Sequence, residues 1–208
     1  MPTKPPSHGQ PRRPTRRLAI AAAVELSLVP LAAGVAWWFD VPLLALVSPA
    51  GRHAEALGVG VLATLPMVAA CWLLVNGTWR PIAGLRRVAQ NLVNRVFAGA
   101  AAWQVVAVAI AAGVGEEVLF RGALQPLLVR WLSPWGGVIT AGVIFGLVHP
   151  MSRAYVVLAT IGGLYLGALA QWQGEVLSAI TAHALYDVVA LFWLRSGQPA
   201  EAPAMDRE

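Results

Sequence analysis

Residues 100–129 read AAAWQVVAVAIAAGVGEEVLFRGALQPLLV, an almost unbroken apolar run that holds GEEVLFRG at 115–122. A bilayer's hydrocarbon core is about 30 Å thick and takes roughly 20 apolar residues per helical span, so the run reads as a membrane helix. Two adjacent glutamates and an arginine therefore sit where an unpaired charge costs about 2.5 kcal/mol or more. Their presence calls for partners or a wet cavity.

Composition agrees with the run: 58% of the 208 residues are hydrophobic and 12% charged, as in a membrane protein. Further apolar runs at 18–39, 54–76, 136–149, 155–171 and 176–194 predict an all-α integral membrane protein with about six transmembrane helices. The stretch 79–97 differs in kind. Ile82, Leu85, Val88, Leu92 and Val96 recur every three or four residues, while Arg86, Arg87, Gln90, Asn91, Asn94 and Arg95 take the other face. That is the period of one amphipathic helix lying in the interface, with a solvated linker helix as the plainer reading. Trp79 is read as its anchor, and the Trp37–Trp38 pair as part of an aromatic belt.

The chain divides into a basic arm at 1–15 expected to be disordered, two N-terminal transmembrane helices within 16–78, the interfacial helix at 79–98, a four-helix core at 99–195 and a loose tail at 196–208. Arg16 and Arg17 ahead of the first apolar run resemble a twin-arginine signal. The run is longer than a signal core and no soluble domain follows it, which favours a retained helix. With six spans, Lys4 and most arginines fall on the side of the termini, against Arg52 and Arg130 opposite, so both termini are expected in the cytoplasm. The few lysines and many alanines and arginines suggest a prokaryotic cytoplasmic membrane. The net charge of +5 lies in short flanks beside apolar runs, a pattern that suits membrane lipids and not nucleic acid. The single cysteine, Cys71, excludes an intrachain disulfide. Gly142 and Gly146, and Gly163 and Gly167, are spaced four apart and predict a tightly packed hairpin over 136–171.

Ionisable groups inside the spans are Glu25, Glu116, Glu117, Arg121, His149, His183 and Asp187. Glu117 and Arg121 are four apart, an ion pair on one helical face that neutralises both for the membrane. Glu116 is turned about 100 degrees from Glu117 and is left to point elsewhere. In FGLVHP, residues 145–150, Phe145 and His149 share a face, and Pro150 favours a helix end beside the imidazole. The plain alternative is a histidine capping a helix end. In TAHALYD, residues 181–187, His183 and Asp187 share a face and are able to satisfy each other. A glutamate and two histidines on three spans can also grip one water or one metal. Zinc takes nitrogen and carboxylate ligands, although the HExxH pattern is absent. The six-span count sets His149 toward the cytoplasm and His183 toward the opposite side. Glu25 stands outside these pairs.

The motifs EExxxR at Glu116–Arg121, FxxxH at Phe145–His149 and HxxxD at His183–Asp187, in this order on successive apolar helices, resemble the CPBP family. That family comprises CAAX prenyl endopeptidases and the bacteriocin-processing or immunity-related Abi proteins. The resemblance covers about residues 100–195. It implies an intramembrane endopeptidase in which Glu116 activates a water, His149 positions it, and His183 with Asp187 stabilises the oxyanion. Glu117, Arg121 and Phe145 are supporting residues under this reading. No cofactor is favoured; if a metal is needed, Glu116, His149 and His183 are its ligands, and zinc is one ion they suit. The implied partner is a peptide or prenylated protein substrate. A non-enzymatic membrane scaffold or bacteriocin-immunity protein on the same fold is the alternative, and a proton-coupled transporter lacks the repeated halves it would need. The last motif position is often asparagine in the family and here is Asp187. An ionised aspartate cannot donate to an oxyanion, so Asp187 is expected to act protonated or to orient His183 through its ring nitrogen.

Overall fold

A computed structural model describes residues 14–77 and 80–196, all of whose regular structure is helical. The helices are α1 (Pro14–Trp38), α2 (Leu43–Val47), α3 (His53–Asn76), α4 (Arg80–Phe97), α5 (Ala102–Glu117), α6 (Gln125–Trp131), α7 (Pro134–Leu147), α8 (Arg153–Gln173) and α9 (Leu177–Ser196). A π-helical turn, Val118–Leu124, joins α5 to α6, so Ala102–Trp131 is one continuous rod. Most of the arm at 1–15, most of the tail at 196–208, and Trp79 lie outside the described residues. Pro14 and Thr15 already belong to α1, and Ser196 closes α9.

Four of these helices, α1, α3, α8 and α9, and the Ala102–Trp131 rod are long and apolar enough to cross a membrane. Pro30 and Pro66 lie inside α1 and α3, where neighbouring helices can satisfy the freed carbonyls. The rod carries exposed tryptophans near both ends, Trp103 and Trp131. At 1.5 Å per residue they are about 42 Å apart, the thickness of a bilayer with its interfacial zones. Trp37, Trp38, Trp135 and Trp172 are exposed at the Trp131 end and Trp72 at the Trp103 end, which makes two aromatic belts. Glu116 lies on the rod about 20 Å from Trp103, near mid-depth.

The expected span at 136–149 is corrected. The helix there, α7, has only 14 residues. It rises about 21 Å, too little to cross the hydrocarbon. It starts at the Trp131 end, where Ser133 Oγ accepts the amide of Gly136 at 2.9 Å and Pro134 opens the first turn. It stops near the depth of Glu116. The chain turns there through 148–152, with Ser152 Oγ accepting the amide of Tyr155 at 3.1 Å, and returns as α8 to the same end. The predicted glycine spacing makes this hairpin tight. A Cβ at Gly142 would lie 2.8 Å from Leu164 Cδ2, and one at Gly163 3.0 Å from the carbonyl of Gly142.

The amphipathic helix forms as α4, but its inward face is rotated from the expected stripe. Ala89, Val93 and Phe97 are buried with Leu18, Val105 and Leu194, whereas Leu92 is exposed. Arg86, assigned to the polar face from sequence, donates to the carbonyl of Val75 at 2.6 Å and ties α4 under α3. Arg17 donates to the carbonyl of Arg95 at 3.1 Å and Arg195 to that of Ala100 at 2.8 Å, drawing α1, α4 and α9 together at this arginine-rich end. At the other end Arg130 donates to the carbonyls of Phe39, at 2.6 Å, and Asp40.

Candidate active site

The last two residues of α5 diverge by helical pitch, and the packing uses both directions. Glu117 points inward and is fully buried. Its Oε1 accepts from Arg121 Nη1 at 2.8 Å, the pair read from sequence. The same oxygen accepts from His183 Nδ1, also at 2.8 Å, a contact across 66 residues that the local motif does not reveal. Arg121 spends its other terminal nitrogen on the carbonyl of Gly163 at 2.8 Å. Its buried guanidinium lies 4.5 Å from the centre of the Phe145 ring, a cation–π contact. The π-helical turn begins directly after Glu117 and contains Arg121, a distortion frequent at functional sites.

Glu116 takes the other direction, into a partly exposed cleft formed between its own side chain and those of His149, His183 and Asp187. Its carboxylate lies 3.6 Å from His149 Nε2 and 3.9 Å from His183 Nε2. Asp187 Oδ2 is 3.7 Å from the same His183 nitrogen. These separations exceed direct hydrogen bonds and suit groups that share a third atom. The four predicted residues thus converge, and the expectation that His149 and His183 lie toward opposite faces is corrected. The reason is the short α7, which ends at mid-depth instead of crossing.

Both imidazoles are held from behind. His149 Nδ1 donates to the carbonyl of Phe145 at 2.7 Å, one turn back in α7, leaving Nε2 to face Glu116. Phe145 lies tilted against the His149 ring, centres 4.8 Å apart, and meets Phe120 edge-on at 5.1 Å, so the FxxxH spacing supplies both a wall and a tautomer lock. His183 donates its Nδ1 proton to Glu117, so its Nε2 faces the cleft as well. Asp187 stands on the Nε2 side, and the orienting contact to Nδ1 belongs to Glu117. Such contacts from behind fix ring orientation.

Glu25 of α1 lies within electrostatic reach of Glu116, His149, His183 and Asp187. Its signal in the sequence was an ionisable side chain inside an apolar span, on the stripe Leu18, Ala22, Glu25, Val29, Ala32, Ala36 that repeats at three and four. Among the described residues no group of three or more His, Cys, Asp and Glu side chains is placed to hold a metal ion.

The family model described as type II CAAX prenyl endopeptidase, Rce1-like, matches residues 98–189, a stretch that contains all three motifs and agrees with the resemblance read from them. No curated protein and no solved structure matches the chain.

Proposed function

We propose, taking as premise that residues 98–189 are a module of the Rce1-like CAAX protease family, that the chain hydrolyses a peptide bond with a water activated by Glu116. The match of residues 98–189 supports an integral membrane protease of CAAX type; the residue roles and the substrate are our reading. The observation that carries it is the convergence of Glu116, His149 and His183 on one cleft, with each imidazole oriented from behind.

Glu116 is the general base. A water between its carboxylate and His149 Nε2 gives one proton to Glu116 as its oxygen attacks the scissile carbonyl carbon, while the carbonyl π electrons move onto oxygen. His183 faces that oxygen. With Nδ1–H committed to Glu117, it donates from Nε2 only as the imidazolium; Glu117 is already paired with Arg121, so the charge is balanced by Glu116 before the attack and by the oxyanion after it. A protonated Asp187 supplies a second donor. Collapse of the tetrahedral intermediate breaks the C–N bond, and the proton held by Glu116 passes to the leaving amine. No step is routed through a metal. The substrate is a peptide, prenylated or not.

The test is hydrolysis in proteoliposomes of a prenylated CAAX peptide and a mixed peptide pool, by wild type and Glu116→Gln, with and without a strong chelator. Cleavage lost in the variant and unaffected by the chelator is expected. Loss on chelation would make Glu116, His149 and His183 metal ligands. No cleavage by folded wild type would overturn the peptidase reading in favour of a binding protein.

A further inference from the structure

Glu25 lies outside the stretch that matches the family, and the mechanism above does not use it. It sits in the middle of the one α1 face that packs inward, between residues whose neighbours at 23, 24, 26 and 27 are exposed. The backbone of α1 is pressed against α5 at this level: a Cβ added at Gly115 would collide with the Glu25 carbonyl oxygen. Gly115 directly precedes Glu116, so α1 delivers the Glu25 side chain at the depth of the cleft and beside its base. Among the described residues its carboxylate makes no hydrogen bond or ion pair. A half-buried, unpartnered carboxylate at mid-span is tolerated only against water or a ligand, and such residues mark substrate paths.

The charge around it narrows the ligand. Glu25, Glu116 and Asp187 are three acids on one cleft, acted on by His149 and His183. The arginine nearest them, Arg121, is spent on Glu117 and Gly163. The described residues contain no lysine, and no arginine is among the larger influences on Glu25 and Asp187, Arg121 acting on Glu116. A substrate carboxylate beside Glu25 would be repelled, whereas a basic side chain would find a carboxylate that no hydrogen bond or ion pair yet holds.

We infer that Glu25 is a specificity-determining residue that binds a lysine or arginine of the substrate beside the scissile bond. The inference rests on the peptidase reading, and it names a substrate class that the motif residues leave open. The geometry sets its limit: the basic residue must be near the reacting carbonyl, because Glu25 shares the depth of Glu116.

The test uses the full chain in nanodiscs and three peptides alike except for Lys, Gln or Glu next to the cleaved bond. Wild type is expected to favour Lys over Gln in kcat/KM, and Glu25→Gln to cut that ratio about tenfold, the worth of one charge-assisted hydrogen bond. Glu25→Lys should turn the preference toward the Glu peptide, and Glu25→Asp should keep the preference for Lys if Glu25→Gln fails to fold. An unchanged Lys-to-Gln ratio in folded Glu25→Gln overturns the inference. Binding of the same peptides to Glu116→Gln separates the two claims. Lys-selective binding that Glu25→Gln abolishes, with no cleavage by wild type, would sink the peptidase reading and leave the assignment of Glu25; cleavage blind to charge would do the reverse.

Discussion

Removing Glu117 and Arg121 together separates the fold from the chemistry. Their side chains are 0% and 1% exposed, joined at 2.8 Å. Glu117→Leu alone strands a buried guanidinium with only the Gly163 carbonyl, which costs about 3–5 kcal/mol. For a chain of this size that lowers Tm by roughly 10 °C. Glu117→Leu/Arg121→Met removes both charges at similar volume, and buried pairs replaced this way are often neutral in stability. The double variant should therefore regain most of the lost Tm. It should remain slow, because His183 has lost the acceptor of its Nδ1 proton, and loss of orientation costs on the order of 100-fold in kcat. KM should change little, since no substrate contact is removed. Glu117→Gln/Arg121→Met, which keeps an oxygen to accept from Nδ1, should recover part of kcat. The assays are thermal unfolding in detergent and peptide hydrolysis in proteoliposomes. A double variant as active as wild type would refute the orienting role of Glu117, and a Glu117→Leu protein with unchanged Tm would refute the buried-pair argument.

Three further outcomes are expected. Gly146→Ala should destabilise by about 1–3 kcal/mol, the usual range for overpacking, because a Cβ there meets Thr160 Oγ1 and lies 2.8 Å from the Val156 carbonyl; thermal unfolding reads this, and full stability would show that the hairpin is looser than described. Asp187→Asn should keep activity and Asp187→Ala lose it if residue 187 donates to the oxyanion, and an inactive Asn variant would assign it another role. Arg86→Met should free α4 from α3 by removing the 2.6 Å bond to Val75, read as faster proteolysis within 80–97, with unchanged cleavage counting against that tie.

The parts legible in the sequence were those set by short-range periodicity. Apolar length gave the helices, and i,i+4 spacing gave Glu117 with Arg121, Phe145 with His149 and His183 with Asp187. Tertiary facts were not legible. Residues 136–149 are apolar enough to read as a span, yet the helix is stopped at its start by Ser133–Pro134 and at its end by Pro150, so its length, not its hydropathy, decides where His149 lies. The bond from His183 to Glu117 joins different helices, and Glu117 looked fully occupied by its local arginine. The inward face of α4 follows small and aromatic residues, Ala89, Val93 and Phe97, that fit against α1 and α9, and not the larger aliphatic stripe beside them. Glu25 was visible as an anomaly, but its role depends on which helix lies beside Gly115.

The role of Glu116 as a base acting on water is tested most directly by a single turnover in oxygen-18 water with enzyme in excess over peptide. Direct attack by water predicts one labelled oxygen in the new carboxylate of the cleaved peptide after the first turnover. An unlabelled first product, with the label appearing in Glu116, would mean that the carboxylate itself attacked the carbonyl and would contradict the account.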